Sequence, residues 1–217
     1  MKILILGAAG YLGSKVVDRF REENHFVLQA PFRNMGEIPS RYSPIDVLIN
    51  AAGIQGPVCL CEEIDVDKLN EVFEVNFTMP AQLMSAVLPS MKRNNFGRII
   101  NLSGGGAADS RPNYAAYAAS KAALVRYSEC VADECKGYNI TVNCVAPGMM
   151  NSKLAGNITT EKESEANRDR AVDLIYDLTT PEYSHVTGRL IAAKWDNWRE
   201  FSEEFIPPGR YKLRRTT

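Results

Sequence analysis

Short apolar runs alternate along the chain with stretches whose apolar residues recur every three or four positions. KILIL (2–6), FVLQA (26–30), DVLINAA (46–52), RIINLS (98–103) and ITVNCVA (140–146) are rich in Ile, Val and Leu. Runs of that length and composition predict buried strands. Between them, YLGSKVVDRFREE, DKLNEVFEVN, PAQLMSAVLPSMKRN and YAASKAALVRYSECVADEC carry the helical period. Such alternation predicts a mostly parallel sheet with helices on both faces, one doubly wound α/β domain spanning residues 1–217. GRLIAAKW (188–195) predicts a last strand or a segment that closes the core. The polar stretch 151–170 reads either as a solvated face or as a mobile loop and helix over a site. A substrate loop is expected over 148–175 and a flexible tail over 205–217.

Composition narrows the partners. The chain is 45% apolar and 24% charged with net charge −1, so no basic field points to nucleic acid. Four cations among the last nine residues read as a solvated tail. No run approaches the about 18 apolar residues of a membrane span, and the N-terminal apolar run is too short for a secretory signal. The five cysteines are odd in number, Cys59 and Cys61 are too close for a usual zinc knuckle, and His25 and His185 are distant. Free thiols in a reducing cytoplasm are therefore expected, and no metal site.

The first strand runs into Gly7-Ala8-Ala9-Gly10-Tyr11-Leu12-Gly13, a GxxGxxG turn that opens a helix. Glycines there let backbone approach a pyrophosphate, and the helix N-terminus offers it unpaired N–H groups. A ribose-binding acid is expected about 20 residues on. Arg33 stands there instead, in QAPFRNMGE, and no acid occupies that strand end. A guanidinium can pair with a 2′-phosphate, so the chain leans towards NADP(H) over NAD(H), against the alternative of an exposed loop cation.

NYAAYAASKAALVRY (113–127) places Tyr117 and Lys121 four apart, on one face of a helix. The pair is either surface decoration or a proton-transfer device. A free phenol titrates near 10, and a nearby ammonium favours the phenolate and lowers that value.

Together these residues resemble the short-chain dehydrogenase/reductase family. The resemblance rests on Gly7, Gly10 and Gly13; on Asn50-Ala51-Ala52-Gly53 after a strand; on Asn76 in EVNFT and Ser103 in INLSGGG; on Tyr117-x-x-x-Lys121; and on Pro147-Gly148 followed by Ser152. It implies a Rossmann-like fold and an enzyme interconverting a small-molecule carbonyl and a secondary alcohol by hydride transfer. Tyr117 would be acid/base and Lys121 its tuner and ribose anchor. Asn76 would hold a proton-relay water and Ser103 polarise the carbonyl. The glycine turn, residues 50–53 and Pro147-Gly148 would line the cofactor. The helix bearing Tyr117 and the one before it are apolar enough for a homodimer or homotetramer.

Two departures qualify it. The family's serine usually stands 13 residues before the tyrosine, which here is Gly104. Either Ser103 reaches in because three glycines let the strand end bend, or the substrate oxygen is bound otherwise; Ser110 is a weaker substitute. Only 15 residues separate Asn34 from Asn50, too few for the helix and strand usual there, so the adenine side is more open or borrowed from a neighbouring subunit. Sugar-nucleotide epimerases of the extended branch share the Tyr-x-x-x-Lys pair, and a non-catalytic redox sensor or scaffold is the third reading. Trp195 and Trp198 read as core or interface anchors.

Overall fold

A computed structural model describes residues 1–30, 43–156, 159–201 and 212 of the chain. Arg33, the segment 31–42 and the expected tail 205–217 apart from Lys212 lie outside the described residues. The strands are β1 (Lys2–Leu6), β2 (Phe26–Ala30), β3 (Val47–Asn50), β4 (Gly97–Leu102), β5 (Ile140–Ala146) and β6 (Leu190–Ala192). They form one parallel sheet in the order β2-β1-β3-β4-β5-β6. The order reverses at β1, where the chain steps from β2 on one side to β3 on the other. In open α/β sheets such a point, at the carboxyl ends of the strands, is where ligands bind.

Each strand side chain alternates between two faces, and the burial follows. Ile3, Ile5, Val47 and Ile49 pack with Leu12, Val16 and Phe20 of α1 (Tyr11–Glu22) and with Leu174 and Ile175 of α5 (Glu161–Asp177). Leu4, Leu6, Leu48 and Ile99 face the other way, onto Leu83, Met84 and Met91 of α3 (Met79–Asn94) and Leu124 and Val131 of α4 (Ala115–Glu134). The inner strands β1, β3, β4 and β5 are thus buried on both faces, which is why they are mostly apolar, while the edge strand β2 is partly exposed.

Three elements differ from the sequence pattern. The helical rod is unbroken from α2 (Val66–Phe73) through a π-helical turn (Glu74–Thr78) into α3. Pro80 has no N–H for the Asn76 carbonyl four residues back, and its ring crowds that carbonyl. The wider turn, with Met79 N–H donating to the Glu74 carbonyl, accommodates it without ending the helix. Secondly, the 148–175 segment turns helical after Thr160, whose hydroxyl caps α5 by accepting from Glu163 N–H at 3.2 Å. Ala171, Val172, Leu174 and Ile175 then bury a helical stripe against α1 and the sheet.

The third concerns the tryptophans. Trp198 is fully buried in the core on the α1/α5 side, its indole N–H donating to the Asp177 carboxylate at 2.9 Å. Trp195 is 76% exposed. Trp198 therefore pins the segment after β6 onto α5. Trp198→Ala is expected to destabilise the chain by about 3–5 kcal/mol, read by urea unfolding. A loss below about 1 kcal/mol would mean this anchor is dispensable.

Candidate active site

The carboxyl ends of β1, β3, β4 and β5 open onto one cleft of about 1120 Å³. Its nucleotide-facing end is built from backbone. Gly7 has φ +83°, and a Cβ on it would stand 2.6 Å from the Ala52 nitrogen. A Cβ on Gly13 would stand 2.1 Å from the Gly7 carbonyl oxygen. Only glycine at both positions lets β1, the β3 end and α1 meet this closely. Gly10 N–H donates to Gly7 O at 3.0 Å, closing the turn at the lip of the cleft. No side chain caps α1 and no acid lies in its first turn, so its amide end is free for an anion. Leu12 is buried in the core beneath. The Tyr11 hydroxyl bonds the Ser164 hydroxyl at 3.0 Å, tying this turn to α5.

On the opposite wall, the first turns of α4 hold Tyr117 and Lys121. Both are buried and both line the cleft. Lys121 Nζ donates to the Leu102 carbonyl at 2.8 Å and lies 5.9 Å from the Tyr117 ring centroid. Burial pulls the ammonium down to about 8, with the Cys144 thiol beneath it acting in the opposite direction. Burial also pushes the Tyr117 phenol up, while Arg111 pulls it down. The expected lowering of the phenol by Lys121 is thus not what the protein alone produces: the opposing charge is that of Arg111, and desolvation outweighs it.

Asn76, in the π-helical turn, sits behind the wall. Its side-chain oxygen accepts from Ile54 N–H at 2.8 Å, and its amide donates to the Ile54 carbonyl at 2.9 Å and to Ser120 Oγ at 3.0 Å. Ser120 Oγ donates on to the Tyr117 carbonyl at 2.8 Å. Ser120, which stands between the pair in sequence, is therefore a brace and not a reactant. Gly53 completes the junction: a Cβ there would lie 3.3 Å from both Asn76 Oδ1 and Lys121 Nζ. Ala51 and Ala52 line the cleft beside it, with Pro147 and Gly148 on the far side. Asn50 does not line it. Its amide donates to Asn101 Oδ1 at 2.7 Å, and Asn101 donates to Ser128 Oγ at 2.8 Å, so it bolts β3 to β4 and α4 below the site.

A model of the short-chain dehydrogenase family matches residues 29–163. This chain belongs to that family. The 3-oxoacyl-[acyl-carrier-protein] reductase of Haemophilus influenzae is 33% identical over 128 residues, 59% of this chain and 52% of that one. Nodulation protein G of a Rhizobium species is 36% identical over 122 residues, 56% of this chain and 49% of that protein. The chain thus aligns with about half the length of these curated relatives. Among solved structures, the closed form of serine dehydrogenase complexed with NADP+ superposes with TM-score 0.76 at 19% identity, covering 88% of this chain and 94% of that one. At that identity the likeness is one of fold.

As a short-chain dehydrogenase the chain departs at one point that the geometry makes concrete. A Cβ on Gly104 would stand 2.6 Å from the Tyr117 hydroxyl. The strand-end position facing the phenol is therefore the glycine. Ser103 reaches the cleft wall, but its hydroxyl is buried without a hydrogen-bond partner among the described residues. Ser110, Arg111 and Tyr114 line the cleft as well, as do Leu154 and Trp195. Pattern reading passed over Arg111, Tyr114 and Ser164. Ser164 is fully buried and joins Tyr11 to Asn151 N–H, which donates to it at 2.9 Å. Only the polar residue on the buried stripe of α5 could have signalled it.

Lys121 also gives a pH signature. In the unfolded chain it takes up its proton near 10.4, in the folded one near 8, so between these values the unfolded state holds more protons and stability rises with pH. The difference between wild type and Lys121→Met, which isolates this group from Tyr117 and Cys144, is expected to move in favour of wild type by about 3 kcal/mol from pH 8 to 10.5. Denaturation across that range measures it, and a flat difference would place the ammonium in solvent.

Proposed function

We propose that the chain is a nicotinamide-dependent oxidoreductase that interconverts a small carbonyl compound and a secondary alcohol, with Tyr117 as acid/base. The observation that carries this is the convergence of a Cβ-free glycine turn and the Tyr117–Lys121 pair on one cleft. The uncapped amide end of α1 suits a pyrophosphate. The orphaned Ser103 hydroxyl and the Lys121 ammonium suit the polar groups of a bound nucleotide and substrate. A reduced nicotinamide would supply a hydride to the carbonyl carbon.

Tyr117 gives its phenolic proton to the oxygen as the carbonyl π bond breaks. The carbonyl is reduced, the nucleotide is oxidised, and the phenol recovers its proton from solvent. Lys121, held against the Leu102 carbonyl, would hold the nucleotide ribose. Asn76 and Ser120 hold the turn of α4 on which Tyr117 rides. The loop at 148–156, with Met149, Met150 and Leu154, covers the substrate.

NADP(H) is the favoured nucleotide. Arg33 follows Gln29 and Ala30, which line the far end of the cleft with no acid among them. Solved relatives of this fold are described with either nucleotide, serine dehydrogenase with NADP+ and 4-hydroxyisoleucine dehydrogenase with NADH. A reducing cytoplasm suits the five unpaired cysteines. The half-buried surface where Phe77 of the π-helical turn and Tyr127 of α4 meet edge to face at 5.7 Å suits a homodimer or homotetramer.

Titration by nicotinamide fluorescence is expected to give micromolar binding with NADPH about tenfold tighter than NADH, a preference that Arg33→Ala removes. Tyr117→Phe is expected to keep nucleotide binding and lose about 10²–10⁴ in carbonyl turnover. Tight nucleotide binding with no turnover of any carbonyl would favour the non-catalytic reading, to which Gly104 already lends weight. A nucleotide retained through purification would favour the epimerase.

A further inference from the structure

We propose that the cleft selects carbonyl substrates that carry a carboxylate, and that Arg111, stacked on Tyr114 beside Tyr117, is the residue that binds it. This rests on the oxidoreductase reading and names its substrate class. Among the described residues five charged side chains line the cleft: Lys121, Arg111, Lys153 and Lys194 are cationic, and Asp109 alone is acidic. Lys121 is committed to the Leu102 carbonyl, and Lys194 is paired with Glu163 at 2.6 Å. Among the described residues the Arg111 guanidinium has neither kind of partner. Among the described residues no carboxylate lies within ion-pair distance of it, Asp109 included.

Its guanidinium carbon stands 4.2 Å from the centroid of the Tyr114 ring. That stacking holds the fork's plane while leaving its N–H edge free, the arrangement that suits a planar anion. Arg111 is also the charged group whose field reaches the Tyr117 phenol, so it faces the reacting end of the cleft.

Gly104 is the second half of the case. Without a side chain at the strand end, the Tyr117 hydroxyl sits where a serine Cβ would collide with it. The substrate carbonyl therefore gains no second hydroxyl from that position. Orientation must come from another part of the substrate, and a bidentate carboxylate–guanidinium pair fixes a small molecule at two points, the carboxylate on Arg111 and the carbonyl oxygen on Tyr117. Arg111 is exposed, so solvent screening keeps its effect to about tenfold.

The test uses the full chain and calorimetry, with a binding readout that needs no turnover. NADP+ is titrated first. 2-Oxobutanoate, 3-oxobutanoate and 4-oxopentanoate, each beside its methyl ester, are then titrated into the NADP+-saturated protein, where a ketone cannot react. At least one acid is expected to bind about tenfold or more tightly than its ester. Arg111→Gln should bring that acid down to the ester's affinity and leave the ester unchanged, and Arg111→Lys should restore part of the difference. Acids that bind no better than their esters, or a preference that survives Arg111→Gln, overturn the proposal. The two readings fail separately. If NADP+ does not bind, the oxidoreductase reading falls, and the same acid–ester comparison on the protein alone still decides the carboxylate site. If acid and nucleotide bind but NADPH reduces none of the acids, the site stands and the reductase reading falls.

Discussion

A fully buried ammonium is what the site is built around. Lys121 donates a hydrogen bond to the carbonyl of Leu102, the last residue of β4, and the helix that carries it must lie against the strand end for that bond to form. Taking an ammonium out of water is costly, so the surroundings have to hold it in place. The Asn76–Ser120 bonds fix the first turns of α4, and the π-helical turn gives Asn76 the reach to do so. Tyr117 follows from that placement. One helical turn before Lys121, it shares the ammonium's face and presents its hydroxyl to the cleft.

Absent side chains do as much as present ones. Gly7 and Gly13 let three elements converge within contact of backbone, which opens an amide-lined corner at the carboxyl edge of the sheet. Gly53 leaves room for Asn76 and Lys121 to meet, and Gly104 leaves room for the phenol itself. The last of these separates this chain from the pattern it otherwise follows. A phenol seated in a glycine's space has less hydrogen-bonding company, and burial then holds its proton more firmly.

Much of the fold was legible because the inner strands are buried on both faces and so read as mostly apolar runs. β1, β2 and β5 match their sequence patterns residue for residue. The glycine turn and the Tyr117–Lys121 pair were legible because each depends on fixed local spacing. Asn50 was legible as a motif but not in its role, because spacing does not say which face of β3 a side chain takes; it faces Asn101 and away from the cleft. The inner half of α5 was obscured by the charged residues before it, although AVDLI already carries the stripe that packs on α1. Arg111 could not be found from pattern at all. Its part depends on a loop after β4 folding back beside α4, a tertiary event without a local signal.

The claim on which everything else turns is that the Tyr117 phenol is a buried acid whose proton is loosened by the charge of a bound oxidised nucleotide. The most direct measurement is an ultraviolet titration of phenolate absorbance, wild type minus Tyr117→Phe, on the protein alone and saturated with NADP+. The difference isolates one phenol among nine tyrosines. The account predicts a midpoint above the ordinary value near 10 for the protein alone, and a fall of about one unit or more with the nucleotide bound. An ordinary midpoint that does not move when the nucleotide binds would contradict it.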